Sequence, residues 1–226
     1  MMKDCLVILF SSISLMISAQ SVRSVSISII PVYKGELFDL NNEIETYNTT
    51  ITKLKFYVSK IGFSNSLDGD WIGKGSCHLL DMEKPKSMKI VLQIPDTLQV
   101  NSLCFNLGVD SLINVSGAMS GDLDPMQGMY WAWQSGYINF KLEGKSDKCP
   151  ARKNKFQFHL GGFLAPYNTL QKVTLPIVIK DEIFVVLDIG ELIEAVDVSK
   201  THEIMSPRSE AVSMAQKVAS LFKIVE

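Results

Sequence analysis

The sequence lacks the patterns that identify many common function classes. It has no run of basic residues and a net charge of −2, so nucleic acid is not predicted as a partner. It contains no serine nucleophile elbow, no glycine-rich phosphate loop, and neither His-Glu-x-x-His nor Cys-x-x-Cys. After the N-terminus, no stretch reaches the roughly eighteen apolar residues that a membrane-spanning helix needs. We therefore expect neither an enzyme, nor a nucleic-acid-binding protein, nor a membrane-spanning one.

Cysteine is scarce as well, with four residues in the chain. Cys5 lies in the N-terminal apolar run, which leaves Cys77, Cys104 and Cys149 for the rest of the protein. Three cysteines leave at least one unpaired, so we expect one disulfide and one free thiol. Cys104 lies inside a predicted strand and is the expected free residue.

The N-terminus has the features of a secretory signal. Lys3 precedes an apolar run, and Ser18 and Ala19 provide small residues at a cleavage point after Ala19. We therefore predict a signal peptide over residues 1–19 and one mature domain over residues 20–226. The mature protein is expected to be exported, to the periplasm, the cell surface or the medium.

Short stretches of alternating apolar and polar residues recur along the mature chain and predict strands. Near the C-terminus, Ala211, Met214, Ala215 and Val218 recur instead at helical spacing, after a Ser-Pro pair at 206–207 that predicts the helix start. A partly helical segment is also expected over residues 188–198. The predicted fold is mainly β, an antiparallel β-sandwich with a short C-terminal helix. The predicted strands cover residues 25–32, 51–63, 77–82, 87–94, 102–109, 155–163, 171–180 and 182–188.

Residues 121–144 form the most unusual stretch of the sequence. Two of the three tryptophans, Trp131 and Trp133, follow an acidic loop and precede an alternating strand. Two interpretations are open: the indoles point to one side and pack, or they form an aromatic surface or an oxidisable group beside a metal. In either case the stretch is predicted to form one wall of a site.

The three histidines are the candidate metal ligands with nitrogen donors. In the strand over residues 155–163, alternation puts His159 on the face opposite the phenylalanines, whereas His78 shares a face with Leu80. Two neutral imidazoles on neighbouring strands would suit copper or zinc, and a hydrogen-bonded structural role is the alternative. His202 lies in a polar run and is expected to be solvated.

Asp110, Asp122 and Asp124 provide the hard oxygen donors that calcium prefers. Their spacing does not match a complete EF-hand loop, and Asp-Pro turns use the same residues. Calcium binding and turn formation are therefore the two interpretations.

Several sequence blocks together resemble the MbnP family of exported bacterial proteins, which are relatives of the copper-binding proteins MopE and CorA. The resemblance extends over nearly the whole mature chain. The blocks are Asn106-Leu-Gly-Val-Asp110, Gly121-Asp-Leu-Asp-Pro125, Gly128-Met-Tyr-Trp-Ala-Trp-Gln-Ser-Gly-Tyr-Ile138, Lys141-Leu-Glu-Gly144, Phe158-His-Leu-Gly-Gly162 and Cys77-His-Leu-Leu-Asp81.

This resemblance implies a β-sandwich that binds copper through histidines near a tryptophan oxidised to kynurenine. By the same resemblance, a partner di-haem protein of the MauG/MbnH type, similar to cytochrome c peroxidases, carries out the oxidation. The implied copper ligands are His78 and His159, with copper as Cu(I), and the implied modified residue is Trp133 or, second, Trp131. In this interpretation the protein is a substrate and a metal binder, not a catalyst. The alternative is a module without metal that binds a ligand or protein through Trp131 and Trp133.

Overall fold

A computed structural model describes residues 21–65, 69–75, 77–134 and 136–225. The predicted signal peptide lies outside these residues. Within them, no helix is both long and apolar enough to cross a membrane. The helices are α1 (Ser111–Val115), α2 (Ile189–Ala195) and α3 (Ser209–Ala219). The strands are β1 (Val22–Tyr33), β2 (Glu36–Leu37), β3 (Glu43–Ile44), β4 (Thr49–Asn65), β5 (Gly69–Ile72), β6 (Cys77–Asp81), β7 (Lys89–Pro95), β8 (Ser102–Leu107), β9 (Tyr130–Trp131), β10 (Gly136–Ser146), β11 (Lys155–Gly161), β12 (Gln171–Pro176), β13 (Glu182–Asp188), β14 (Glu203–Ile204) and β15 (Phe222–Val225).

The strands form two sheets that pack face to face. The first sheet has the order β15-β13-β1-β2, with β7 also paired to β1. The second has the order β12-β8-β4-β10-β11-β14, with β3, β5 and β6 also paired to β4 and β9 to β10. Apolar side chains of both sheets share one core, in which the Phe56 ring of β4 lies edge-on to Phe222 of β15 at 5.9 Å. The predicted mainly β sandwich is confirmed.

The long strand β4 organises the second sheet, because it has partners on both edges. Lys55 pairs with Lys141 of β10 on one side and with Asp81 of β6 on the other. Strand alternation turns Phe56 and Val58 into the core between the sheets, so Lys55 and its neighbours in register lie on the opposite, outer face. This assignment of faces decides on which side of the sheet each candidate histidine in a long strand lies.

A second, smaller apolar cluster covers part of that outer face. We call residues 121–134 the cover segment, because three of its side chains pack there against residues of β4, β6 and β10. The members of this outer cluster are Tyr57, Leu79, Val109, Leu123, Met129, Trp131, Tyr137 and Ile138.

The architecture differs from the predicted one in strand direction and at the C-terminus. The pairs β1–β13 and β11–β14 are parallel, so the sandwich is mixed and not purely antiparallel. The helix α3 begins at Ser209 with Arg208 as its N-cap, two residues after the predicted Ser-Pro start, and β15 follows it. The helical prediction for residues 188–198 is confirmed by α2, which Asp188 caps.

The expected disulfide is absent from the described residues. Cys77, Cys104 and Cys149 are all free thiols. Cys77 pairs with Ser59 near one end of β4, whereas Cys149 follows β10, whose last residue pairs with Thr49 at the other end. Ten strand residues separate these positions, or about 30 Å, which no disulfide can bridge.

Candidate functional site

His159 lies on the outer face of the second sheet and is buried there. Its neighbours Phe158 and Leu160 turn into the main core, as the alternating sequence predicts. The imidazole is only 6% exposed, and its Nε2 lies 2.8 Å from Oε1 of Glu143 on the adjacent strand β10. A histidine that was predicted to face outward or into a groove is therefore covered and fixed by a carboxylate.

The contact between Glu143 and His159 determines which ring nitrogen is available. The hydrogen bond from His159 lowers the pKa of the Glu143 carboxyl, which stays ionised and accepts the hydrogen bond from the imidazole N–H. A neutral imidazole that donates from Nε2 keeps its lone pair on Nδ1. Metal-binding histidines commonly donate their other ring nitrogen to a carboxylate in this way.

Trp131 packs against the strand that carries His159. It is buried in β9, which forms a hairpin with β10 through the pair Trp131–Gly136. Its six-membered ring lies over Gly161, where an added Cβ would be 2.6 Å from Cζ3 of the indole. Gly161 is two residues beyond His159, so the indole and the imidazole occupy the same face of β11. Trp131 Nε1 is buried without a hydrogen-bond partner.

Trp133 lies beside Trp131 but in a different environment. The turn after β9 leaves Trp133 66% exposed, while the two ring centroids remain 5.6 Å apart with a tilt of 42°. The two indoles are thus in contact, with Trp131 packed in the outer cluster and Trp133 at the surface, so the interpretation that both indoles pack holds for Trp131 alone.

His78 occupies the other face of the sheet. It pairs with Val58, whose side chain belongs to the main core, and is itself half-buried. Desolvation lowers the pKa of His78, against an opposing effect of the Asp122 charge, so the imidazole is held neutral. Its Nε2 is buried and has no hydrogen-bond partner.

His78 and His159 are not brought together. Strands β4 and β10 lie between their strands β6 and β11, which is three strand spacings or about 14 Å. The two side chains also point to opposite faces. Metal–imidazole bonds are about 2 Å long, so one ion cannot bind both residues in this arrangement. A copper site shared by these two histidines is therefore not formed.

The fold and these features agree with one family of proteins. The family model for MbnP matches residues 22–206 of the chain. The protein belongs to the MbnP family. The structure of MbnP from Methylosinus trichosporium superposes with a TM-score of 0.59 at 15% sequence identity, over 79% of this chain and 80% of that one, which shows a common fold. No curated protein sequence matches.

In this MbnP-family chain, the three aspartates predicted for calcium or turns all accept backbone hydrogen bonds, two of them local and one from a distant strand. Asp110 caps α1 by accepting from the backbone N–H of Ile113, and Asp124 accepts from the N–H of Met126. Asp122 accepts from the N–H of Leu79, which joins the cover segment to β6. Within the described ranges, no three His, Cys, Asp or Glu residues form a group that could hold a metal ion.

Sequence reasoning missed a line of buried charges across the outer face. Lys55 forms ion pairs with Asp81 at 2.8 Å and with Glu83 at 3.1 Å. Lys141, the next residue in register, is 8% exposed and donates from Nζ to the backbone carbonyl of Gly128 in the cover segment. Strand alternation indicates that Lys141 and Glu143 share a face, but only the register shows that His159 lies beside them.

His202 differs from its predicted solvated state. It is half-buried next to β14, and its backbone carbonyl accepts from the N–H of Gln157 on β11. Its Nδ1 is buried without a hydrogen-bond partner. The short parallel pair β11–β14, which the sequence did not predict, accounts for this burial.

Proposed function

We propose that this MbnP-family protein is an exported copper-binding protein and that its copper site is built on His159 beside Trp131. The observation that carries this proposal is the contact of His159 Nε2 with Glu143, on the face of β11 where the Trp131 ring lies over Gly161. A neutral imidazole with its second nitrogen fixed by a carboxylate is a suitable donor for copper. His78 does not contribute to this site, because it lies on the other face.

The residues around His159 have separable tasks in this proposal. Glu143 fixes the tautomer and the ring orientation, so that Nδ1 would be the nitrogen available to hold Cu(I). The Trp131 ring lies over Gly161 on the same face of β11, and the His159 side chain is itself buried. When bound, copper would supply a redox-active centre at this buried site.

We further propose that a partner di-haem protein of the MauG/MbnH type oxidises Trp131 to kynurenine. Family membership supports this, and so does the position of Trp131 over Gly161, two residues from His159. Trp131 is preferred to Trp133, which the sequence alone favoured, because Trp133 is exposed and does not cover the histidine strand. In this proposal the protein acts as the partner's substrate and has no catalytic residues of its own.

A Cu(I) titration with competing chelator tests the proposed ligand. We expect His159→Ala to abolish tight binding, while His78→Ala and the control His202→Ala bind as the wild type does. Unchanged Cu(I) affinity in His159→Ala would refute the proposed site. A loss of affinity confined to His78→Ala would assign the site to the other face of the sheet. N-terminal sequencing of the exported protein tests the predicted cleavage after Ala19.

Mass analysis of a peptide that spans both tryptophans tests the oxidation. Protein from the native host, or co-expressed with the di-haem partner, should gain the mass of inserted oxygen less the lost formyl group. We expect Trp133→Phe to keep this gain and Trp131→Phe to lose it. A modification that persists in Trp131→Phe would assign the reaction to Trp133.

An exposed aromatic surface supports a second candidate function, in which the protein binds a ligand or protein without metal. Trp133 is 66% exposed near a cavity of about 170 Å³. The cavity is lined largely by apolar side chains, namely Trp131, Phe163, Leu164, Ala165, Tyr167 and Pro207. Under this alternative, Trp133→Ala abolishes binding to the partner protein and His159→Ala does not.

A further inference from the structure

We infer that Lys141 is a positioning residue that holds the cover segment in place on the face of the sheet that carries His159. This inference rests on the proposed function for its effect on copper, but its structural part can be tested in the metal-free protein. It concerns a residue on β10 that neither binds the metal nor is modified in the proposed function.

Lys141 lies between the histidine strand and the centre of the sheet. It is directly opposite His159 on β11 and directly opposite Lys55 on β4. Only 8% of the residue is exposed, and its Nζ donates to the backbone carbonyl of Gly128. The side chain therefore connects β10, at the position opposite His159, to the cover segment.

The tethered carbonyl belongs to the residue from which the covering hairpin starts. Gly128 ends a short helical turn with φ of +72°, a left-handed conformation that favours glycine. Met129 follows, and its carbonyl accepts from the N–H of Ile138 on β10. Trp131 comes two residues later in β9. A donor at the Gly128 carbonyl thus fixes the entry to the hairpin that carries the indole.

Fold stability alone does not explain a lysine at this position. Burying an ammonium is costly, and Lys55, directly opposite, carries the same charge. Lys55 has Asp81 and Glu83 as its own partners, so these carboxylates do not serve Lys141. The Glu143 charge favours the ammonium form of Lys141, but that carboxylate is hydrogen-bonded to His159. An apolar side chain of similar length would fill the same space at lower cost. What the lysine adds is a directed hydrogen bond to the cover segment.

The variant Lys141→Met separates positioning from stability. It keeps an unbranched side chain, one atom shorter than lysine, and removes the donor to Gly128, so we expect a melting temperature equal to or above that of the wild type. We expect faster amide exchange at Ile138, whose hydrogen bond to Met129 closes the hairpin. Cu(I) binding should weaken by about tenfold, as for other residues that orient a metal ligand.

Two further variants serve as controls. Lys145→Met makes the same substitution at an exposed position on the same strand and should change neither the exchange at Ile138 nor copper affinity. Lys141→Arg retains a donor and should restore slow exchange and most of the affinity. If Lys141→Met does not fold, the comparison of Lys141→Gln with Lys141→Arg gives the same test, because the shorter amide cannot reach Gly128.

The inference is wrong if a folded Lys141→Met, or Lys141→Gln in its place, exchanges at Ile138 as slowly as the wild type. It is also wrong if Lys141→Met lowers the melting temperature and speeds exchange uniformly through β10, because that is the result of a purely structural role. Absence of Cu(I) binding in the wild type would refute the proposed function. Amide exchange at Ile138 would still test whether the hydrogen bond from Lys141 to Gly128 positions the cover segment.

Discussion

Gly161→Ala is the substitution that most directly tests the packing of Trp131 on the histidine strand. A Cβ at position 161 would lie 2.6 Å from Cζ3 and 2.9 Å from Cη2 of Trp131, and 2.8 Å from the carbonyl oxygen of Tyr137. Ordinary van der Waals contact begins at 3.4 Å, so the indole or the strand must move by close to 1 Å. A shift of the indole relieves the contacts with Trp131, whereas the contact with the Tyr137 carbonyl also requires a local shift between β10 and β11.

The expected loss of folding stability in Gly161→Ala can be bounded. Inserting a methyl group into a packed site typically costs about 1–3 kcal/mol. For a chain of this size, each kcal/mol lowers the melting temperature by roughly 2–4 °C. We therefore expect Gly161→Ala to fold, to melt some degrees lower, and to show altered tryptophan emission. Because Trp131 covers His159 in our proposal, Cu(I) affinity should fall as well.

Gly144→Ala is the matched control for this experiment. Its Cβ would lie 2.4 Å from both Phe156 Cζ and the carbonyl oxygen of Thr50, a clash of the same kind in a different place. It should destabilise the protein without changing tryptophan emission or copper affinity in the folded state. If Gly161→Ala and Gly144→Ala lose stability but have the same emission and the same affinity as the wild type, Trp131 does not shape the site.

Two further predictions concern the charges of the outer face. The hydrogen bond from His159 lowers the pKa of Glu143, so this carboxylate stabilises the fold above its unfolded pKa of about 4.3, and the contribution is lost as the pH falls through the lower folded value. Glu143→Gln should therefore flatten the decline of stability below about pH 5. An unchanged dependence of stability on pH in urea titrations would contradict this. Asp81→Asn removes the buried partner of Lys55 and should lower the free energy of unfolding in urea by about 3–5 kcal/mol. Asp81→Leu combined with Lys55→Met should recover most of this loss. A single mutant as stable as the wild type would show that the pair contributes nothing.

The sequence pattern was sufficient for most of the longer strands, for the C-terminal helix and for the two faces of β11. Alternation predicted the outer face of β11 for His159 and the core for its two neighbours. The helical spacing of Ala211, Met214 and Val218 likewise identified the buried face of α3. These features depend on local periodicity, which the sequence carries directly.

The composition of the site depended on pairing between distant strands, which local patterns do not encode. Nothing in the sequence indicates that β4 has partners on both edges, and that arrangement separates His78 from His159. The same is true of Lys141, whose role follows from lying opposite His159. Two histidines on short strands looked like neighbours, and the order of strands in the sheet shows that they are not.

The central claim is that His159, and not a pair of histidines, anchors copper in this protein. Anomalous diffraction at the copper edge from a Cu(I)-loaded crystal tests it most directly. Our account predicts a copper peak about 2 Å from Nδ1 of His159, on the face covered by Trp131, and none at His78. A peak bonded to His78, or no peak near His159, would contradict it.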